Sequence, residues 1–313
     1  MHTLSATLGR LAIGAPQAFR NLSMFPLAGP VNGDANYLTL DEAFEASLSR
    51  VTEISEGGHV PELAFDNRAD KPVLLVDGEE LVGARQNRIL NITILVGAGK
   101  QIVIPVSCVE AGRWAYRTRE FRSQQRSLYA GLRAKKMEQV SQSMASTGNR
   151  RSNQSAIWDD IAFKQNRMHT ASATGSMSDI YEGHHAHLAD YQQAFKWTKG
   201  QAGAVFAVAG NVMGLELFDS DKTFGKFLAK LVSSYTLDAI EVEANESAAP
   251  SLDDVRALIE RIKNAKAECY PALGEGEDVR MSGEKLAGGA LFVGERVVHL
   301  SAFHCGVNCL TPL

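Results

Sequence analysis

With 313 residues, 45% apolar and 22% charged, the chain can bury one large core or two moderate ones, and its composition excludes collagen, a coiled coil and wholesale disorder. Its 32 basic and 36 acidic side chains leave a formal charge of −4, so the chain as a whole is not built to coat nucleic acid. Any electrostatic function has to be local.

In chain order, the first residues carry a single Arg and no sustained apolar run, unlike a secretory signal. No window approaches the roughly 18 consecutive apolar residues of a membrane span. Four cysteines (Cys108, Cys269, Cys305 and Cys309) are too few for a disulfide framework, so a cytoplasmic protein with reduced thiols is expected.

Thr39 and Glu42 form a capping box ahead of Leu40, Ala43, Phe44 and Leu48 at helical spacing. Strands are expected at 72–78, 89–99 and 101–112, each ended by Gly. From about 118 to 198 the composition turns to Gln, Ser, Arg, Lys and Met, which predicts helices joined by polar, mobile linkers at 146–155 and 172–179. Two apolar runs flanking Gly210-Asn211 predict a hairpin. Phe224, Phe227, Leu228, Leu231, Val232 and Tyr235 then mark an amphipathic helix capped by Asp219 or Ser220, and Ser251 with Asp254 caps another. A last hairpin turns at Gly294-Glu295.

The expected fold is α+β, in four stretches. A β-rich, sandwich-like and largely antiparallel part (1–117) is followed by a helical insertion (118–200), an α/β part (201–303) and a tail (304–313).

The polar residues within strand-like context are the candidates for chemistry. Glu79, Glu80, Arg85, Gln86, Asn87 and Arg88 place two carboxylates, two guanidiniums and two amides within ten residues. Arg forks suit carboxylate or phosphate, and amides both donate and accept, so these heads are expected either to converge on one small polar ligand or to satisfy one another as a register-fixing network. Glu110, Arg113 and Trp114 form a second wall, beside Cys108 as a candidate nucleophile with His299 as a conceivable base; an inert buried thiol and a structural imidazole are the plainer readings. Eight basic residues against Glu120 alone make 113–136 net +7, with Trp114, Tyr116, Phe121 and Tyr129 interleaved as stacking faces. That stretch either faces phosphate or docks on the acidic remainder, and nucleic acid is not the favoured partner.

His184, His185 and His187 with Asp190 read as a solvated cluster, and His304, Cys305 and Cys309 lack a fourth ligand at familiar spacing, so no metal site is assigned. Glu275, Glu277 and Asp278 read as an acidic turn. Signatures for P-loop, dinucleotide-binding, nucleophile-elbow and zincin sites are absent.

The segments DGEELVGARQNRILN (77–91) and IPVSCVEAGRW (104–114), with YLTLDEA (37–43), VPELAFDN (60–67), GLELFDS (214–220), SSYTLDA (233–239), GEGEDVR (274–280) and VVHLSAF (297–303), resemble a bacterial family. It is the ADP-ribosylglycohydrolase (ARG) and rhodanese-phosphatase-superfamily-associated protein family, once labelled a domain of unknown function. The likeness runs from about 19 to 303 and leaves out the tail. It implies association with enzymes of ADP-ribose and phosphate chemistry in prokaryotic conflict or stress systems, and no settled activity or cofactor. The expectation is an accessory protein that binds a small anionic, nucleotide-like ligand or a partner enzyme. Arg85 and Arg88 would hold the anion, Gln86 and Asn87 would read a base or ribose, and Trp114 would stack. The rivals are a hydrolase of phosphorylated or ADP-ribosylated small molecules using Glu79 or Glu80, and an oligomeric scaffold.

Overall fold

The computed structural model describes residues 2–29, 35–55, 60–242 and 248–306. The fold is α+β and its sheets are antiparallel, apart from a short parallel pairing of Leu38–Thr39 with Val73–Leu75. A six-stranded sheet runs in the order Phe121–Ser127, Glu79–Gly83, Arg88–Leu90, Gln101–Cys108, Glu62–Asn67, Ser49–Glu53. A bridge between Thr52 and Glu120 joins its two edges, so the sheet curls into a small barrel. Directly opposed residues of an antiparallel pair share a face. The pairings Val51–Phe65, Glu53–Leu63, Leu63–Ile104, Val106–Leu90 and Leu81–Arg88 therefore define one inner face, which is apolar except toward one end.

A nine-stranded sheet is covered on both sides. Its central strands are Leu22–Ala28, Gln201–Val208, Asn211–Phe218 and Arg296–His304. Helices Ala130–Thr147 and Asp221–Glu241 cover one face, and His2–Gly9 and Leu252–Lys263 the other. Helix Ala130–Thr147 is wedged between barrel and large sheet, with Met137 packed toward the sheet and Val140 and Met144 toward the barrel core.

Local signals are realised where the chain itself supplies both partners. Both capping boxes form, Ser220 caps Asp221–Glu241, and the predicted apolar stripe of that helix is buried. The last hairpin turns at Gly294-Glu295. The other hairpin is offset by one residue: Ala209 and Gly210 take the two left-handed positions, at φ 49° and 78°, and Asn211 opens the next strand.

Three expectations need correction. The run 89–99 is not one strand, because Arg88–Leu90 belongs to the barrel and Ile94–Val96 to a separate three-stranded sheet. Between them Asn91 bonds Arg150 O at 2.9 Å and Thr93 meets His299, contacts that no local pattern encodes. The stretch from 118 onward is not all helical either, since Phe121–Ser127 pairs with Glu79–Gly83 to complete the barrel. The linkers expected to be mobile are tied down. Ser152 meets Ser107 at 2.6 Å, and Thr174 and Ser178 bond Glu110 and Glu80.

Candidate functional site

The six polar residues of 79–88 do not converge on one point, because alternation along a strand sends neighbours to opposite faces. Glu79 turns to Lys230, at 2.5 Å, which also holds Asp41 at 2.6 Å; burial raises the Glu79 pKa against the pull of that lysine. Glu80 faces the 172–178 loop, fully buried. Its Oε1 accepts from Ser178 Oγ at 2.8 Å while Oε2 has no partner, and burial pushes its pKa up to about 7.

Gln86, Asn87, Glu110 and Arg113 satisfy one another. Arg113 forks onto Glu110 through Nε (2.9 Å) and Nη2 (2.6 Å) and donates to Ala84 O at 2.7 Å. Asn87 Oδ1 accepts from Arg113 Nη2 at 3.2 Å, and Gln86 Nε2 donates to Glu110 O at 2.8 Å. Burial alone would raise the Glu110 pKa, but the Arg113, Asn87 and Thr174 bonds outweigh it and hold the carboxyl below its usual range. This network clamps the Gly83-Ala84 turn. A Cβ at Gly83 would lie 2.6 Å from Glu120 O, and Ala84 is held at φ 37°, where a non-glycine residue is strained.

That turn aims Arg85 outward, its guanidinium 4.5 Å from the Tyr116 ring and 5.5 Å from Trp114. Both rings are close to half exposed, whereas Phe121 and Tyr129, also expected as stacking faces, are buried. The +7 stretch is likewise split. Arg113, Arg133 and Lys136 are buried in ion pairs, leaving Arg117, Arg119, Arg122 and Lys135 on the surface and Arg126 half-buried.

Arg88 is different. Opposed to Cys108 and Leu81, it projects onto the barrel's inner face and is fully buried. Its Nη1 donates to Gln86 Oε1 at 3.2 Å, which sets the plane of the guanidinium, while Nε and Nη2 have no acceptor. No carboxylate among the described residues forms an ion pair with it, and burial lowers its pKa. Glu53 lies at the same end of the inner face, and both its carboxylate oxygens lack a hydrogen-bond partner. Glu53 also lines a groove of about 900 Å³ walled by Arg50, Arg85, Arg119 and Tyr116, a lining that does not include Arg88.

Cys108 also faces the lumen, but burial raises its pKa and its Sγ donates to Glu110 O at 3.2 Å, so it is a protonated thiol. His299 belongs to another network, on a strand of the large sheet. Its Nδ1 meets Thr93 Oγ1 at 2.8 Å, its Nε2 lies 3.6 Å from Glu216, and burial lowers its pKa. The two residues share no contact among the described residues, so the structure does not assemble a Cys–His pair.

Of the remaining clusters, His184 and His187 stack with ring centroids 6.2 Å apart, while Asp190 pairs with Arg20 and His184 and His185 meet main-chain oxygens. Asp278 turns in to Arg280 while Glu275 and Glu277 stay exposed. Cys309 lies outside the described residues; Cys305 is half-buried with its pKa raised to about 11. Glu53 and Arg50 escaped the sequence reading. The alternation of SRVTE (49–53), with Val51 inward, carries the signal that Glu53 points inward too.

The family model for the ARG and Rhodanese-Phosphatase-superfamily-associated Protein domain matches residues 10–303. The chain belongs to this family. The match spans the barrel, the large sheet and the intervening helices, so the candidate residues from Glu53 to His299 lie within the family's domain, and His304, Cys305 and Cys309 lie beyond it. A search of curated proteins finds no match, and a search of solved structures finds none. No helix among the described residues is long and apolar enough to cross a membrane.

Proposed function

We propose that this protein is an accessory protein that binds a small anionic ligand at the open end of its barrel. The observation that carries the reading is Arg88, a fully buried guanidinium with a vacant Nε/Nη2 edge. Those two N–H groups point in parallel and match a carboxylate or phosphate bidentately. An unpaired buried charge costs several kcal/mol, and a ligand anion would offset that cost. Arg50, Arg85 and Arg119 in the groove above supply a field that draws anions toward it. The strained Ala84 that aims Arg85 fits a functional site, where such conformations concentrate. An accessory role accords with a family named for its association with ARG and rhodanese-phosphatase-superfamily proteins, and a nucleotide or ADP-ribose-derived ligand in the cytoplasm is the finer form of the proposal.

The test is differential scanning fluorimetry with inorganic phosphate, acetate, ribose 5-phosphate, AMP and ADP-ribose. At least one anion should raise the melting temperature of the wild type, and Arg88→Met should abolish the shift. A shift that persists in Arg88→Met would refute the site.

A further inference from the structure

The open barrel end presents more than an anion receptor. Strands Arg88–Leu90 and Ser49–Glu53 lie three places apart in a ring of six, so Arg88 and Glu53 approach the lumen from opposite walls. They do not close on one another. Between them they leave four unpartnered polar atoms, Nε and Nη2 of Arg88 and both carboxylate oxygens of Glu53. The residues in register with them on the inner face are Leu63 opposite Glu53 and Leu81 and Cys108 opposite Arg88, with Leu90 and Val106 next along.

We propose that the occupant of this end is a small zwitterionic amino acid, its carboxylate on the Arg88 fork and its ammonium on Glu53. The inference rests on the reading of Arg88 as an anion receptor and adds the other half of the ligand. Satisfying all four atoms decides between ligand classes. A simple anion would engage Arg88 and leave both Glu53 oxygens without a partner. A simple cation would fail at Arg88 in the same way. A molecule with separated opposite charges and no net charge satisfies all four atoms, and in apolar surroundings each unsatisfied charge is costly. The apolar neighbours suit a short aliphatic side chain, and Glu53 also lines the arginine-walled groove.

The test uses the full chain and isothermal titration calorimetry with three matched sets. L-alanine, L-valine and L-leucine are each compared with the acid lacking the amino group and the amine lacking the carboxylate; inorganic phosphate and ribose 5-phosphate complete the panel. One amino acid should bind at least about tenfold tighter than its deaminated acid, since losing a partner leaves Glu53 buried and unpaired. Glu53→Gln should weaken the amino acid by about tenfold while leaving the deaminated acid within about threefold, and Arg88→Met should abolish both. If the deaminated acid or a phosphate binds as tightly as the amino acid and loses affinity only in Arg88→Met, the zwitterion is excluded and the anion site stands. If no probe binds the wild type, or binding survives Arg88→Met, both readings fall. The ligand series on the wild type decides the matter even if Glu53→Gln does not fold.

Discussion

The barrel end and the seam between barrel and large sheet both bury charge in apolar surroundings, and they treat it in opposite ways. In the seam Arg133 pairs with Glu216 at 2.5 Å and lies 3.7 Å from Asp77, which also binds Lys136, so two cations meet two carboxylates. Burial alone would raise the Glu216 pKa, but Arg133 and then His299 pull it below the usual range. In the seam the atoms without a hydrogen bond, such as Arg133 Nε and Asp77 Oδ2, belong to ion-paired groups, whereas at the barrel Arg88 and Glu53 form no ion pair among the described residues and Glu80 Oε2 has no hydrogen-bond partner. A matched buried network serves to hold two sheets and a wedged helix in register. An unmatched one tends to persist where selection is for binding, because it lowers the stability of the empty protein.

The largest effect should come from breaking the matched side. Arg133→Met leaves Glu216 short of its cation and should destabilise the fold by about 3–5 kcal/mol in urea unfolding. A loss under about 1 kcal/mol would show that the seam is no better matched than the barrel.

Next is the pH dependence set by Glu80. Its folded pKa of about 7 lies above the ordinary 4.5, so the folded state holds the extra proton between those values and stability falls as pH rises through that window. The full shift corresponds to about 3 kcal/mol, an upper bound. Glu80→Gln, which mimics the protonated form, should remove that slope and be more stable than wild type at pH 8. Parallel stability–pH curves for the two proteins would sink the assignment.

Arg88→Met sharpens the contrast through its sign. Removing an unpaired buried charge should leave unfolding stability unchanged or raise it by about 1 kcal/mol, opposite to Arg133→Met. A loss of several kcal/mol would identify Arg88 as a structural residue. The smallest effect is expected at Trp114, which is close to half exposed: Trp114→Ala should stay within about 0.5 kcal/mol in stability, and any change in ligand affinity would then report on its contact with Arg85.

Much of the site was legible as a list of residues and little of it as an arrangement. Arg85 and Arg88 stood out because arginines are rare in strand-like context, and both prove to be placed unusually, one on a strained turn and one in a lumen. That Glu79 and Glu80 part company follows from period-2 alternation, but where each goes does not. The partner of Glu79 is 151 positions away and that of Glu80 is 98. The basic stretch was legible only as two alternatives for the same reason. Its charge count was correct, and Arg133 and Lys136 take the docked one, paired with Glu216 on a distant strand and with Asp77 in a distant turn.

By itself the sequence determined what is settled within one turn or one hairpin. This covers the Thr39–Glu42 and Ser251–Asp254 capping boxes, the Ser220 cap, the buried stripe of Asp221–Glu241 and the Gly294-Glu295 turn. In each, donor and acceptor, or the residues of one face, lie close along the chain, so local geometry suffices. Tertiary structure alone decided that Phe121–Ser127 closes a barrel and that Thr93 meets His299. It also decided that Arg88 is left without an anion while Arg133 is given one. Those outcomes depend on which strands become neighbours, and charge pairing in a low-dielectric interior is set by a few ångströms between segments a hundred residues apart.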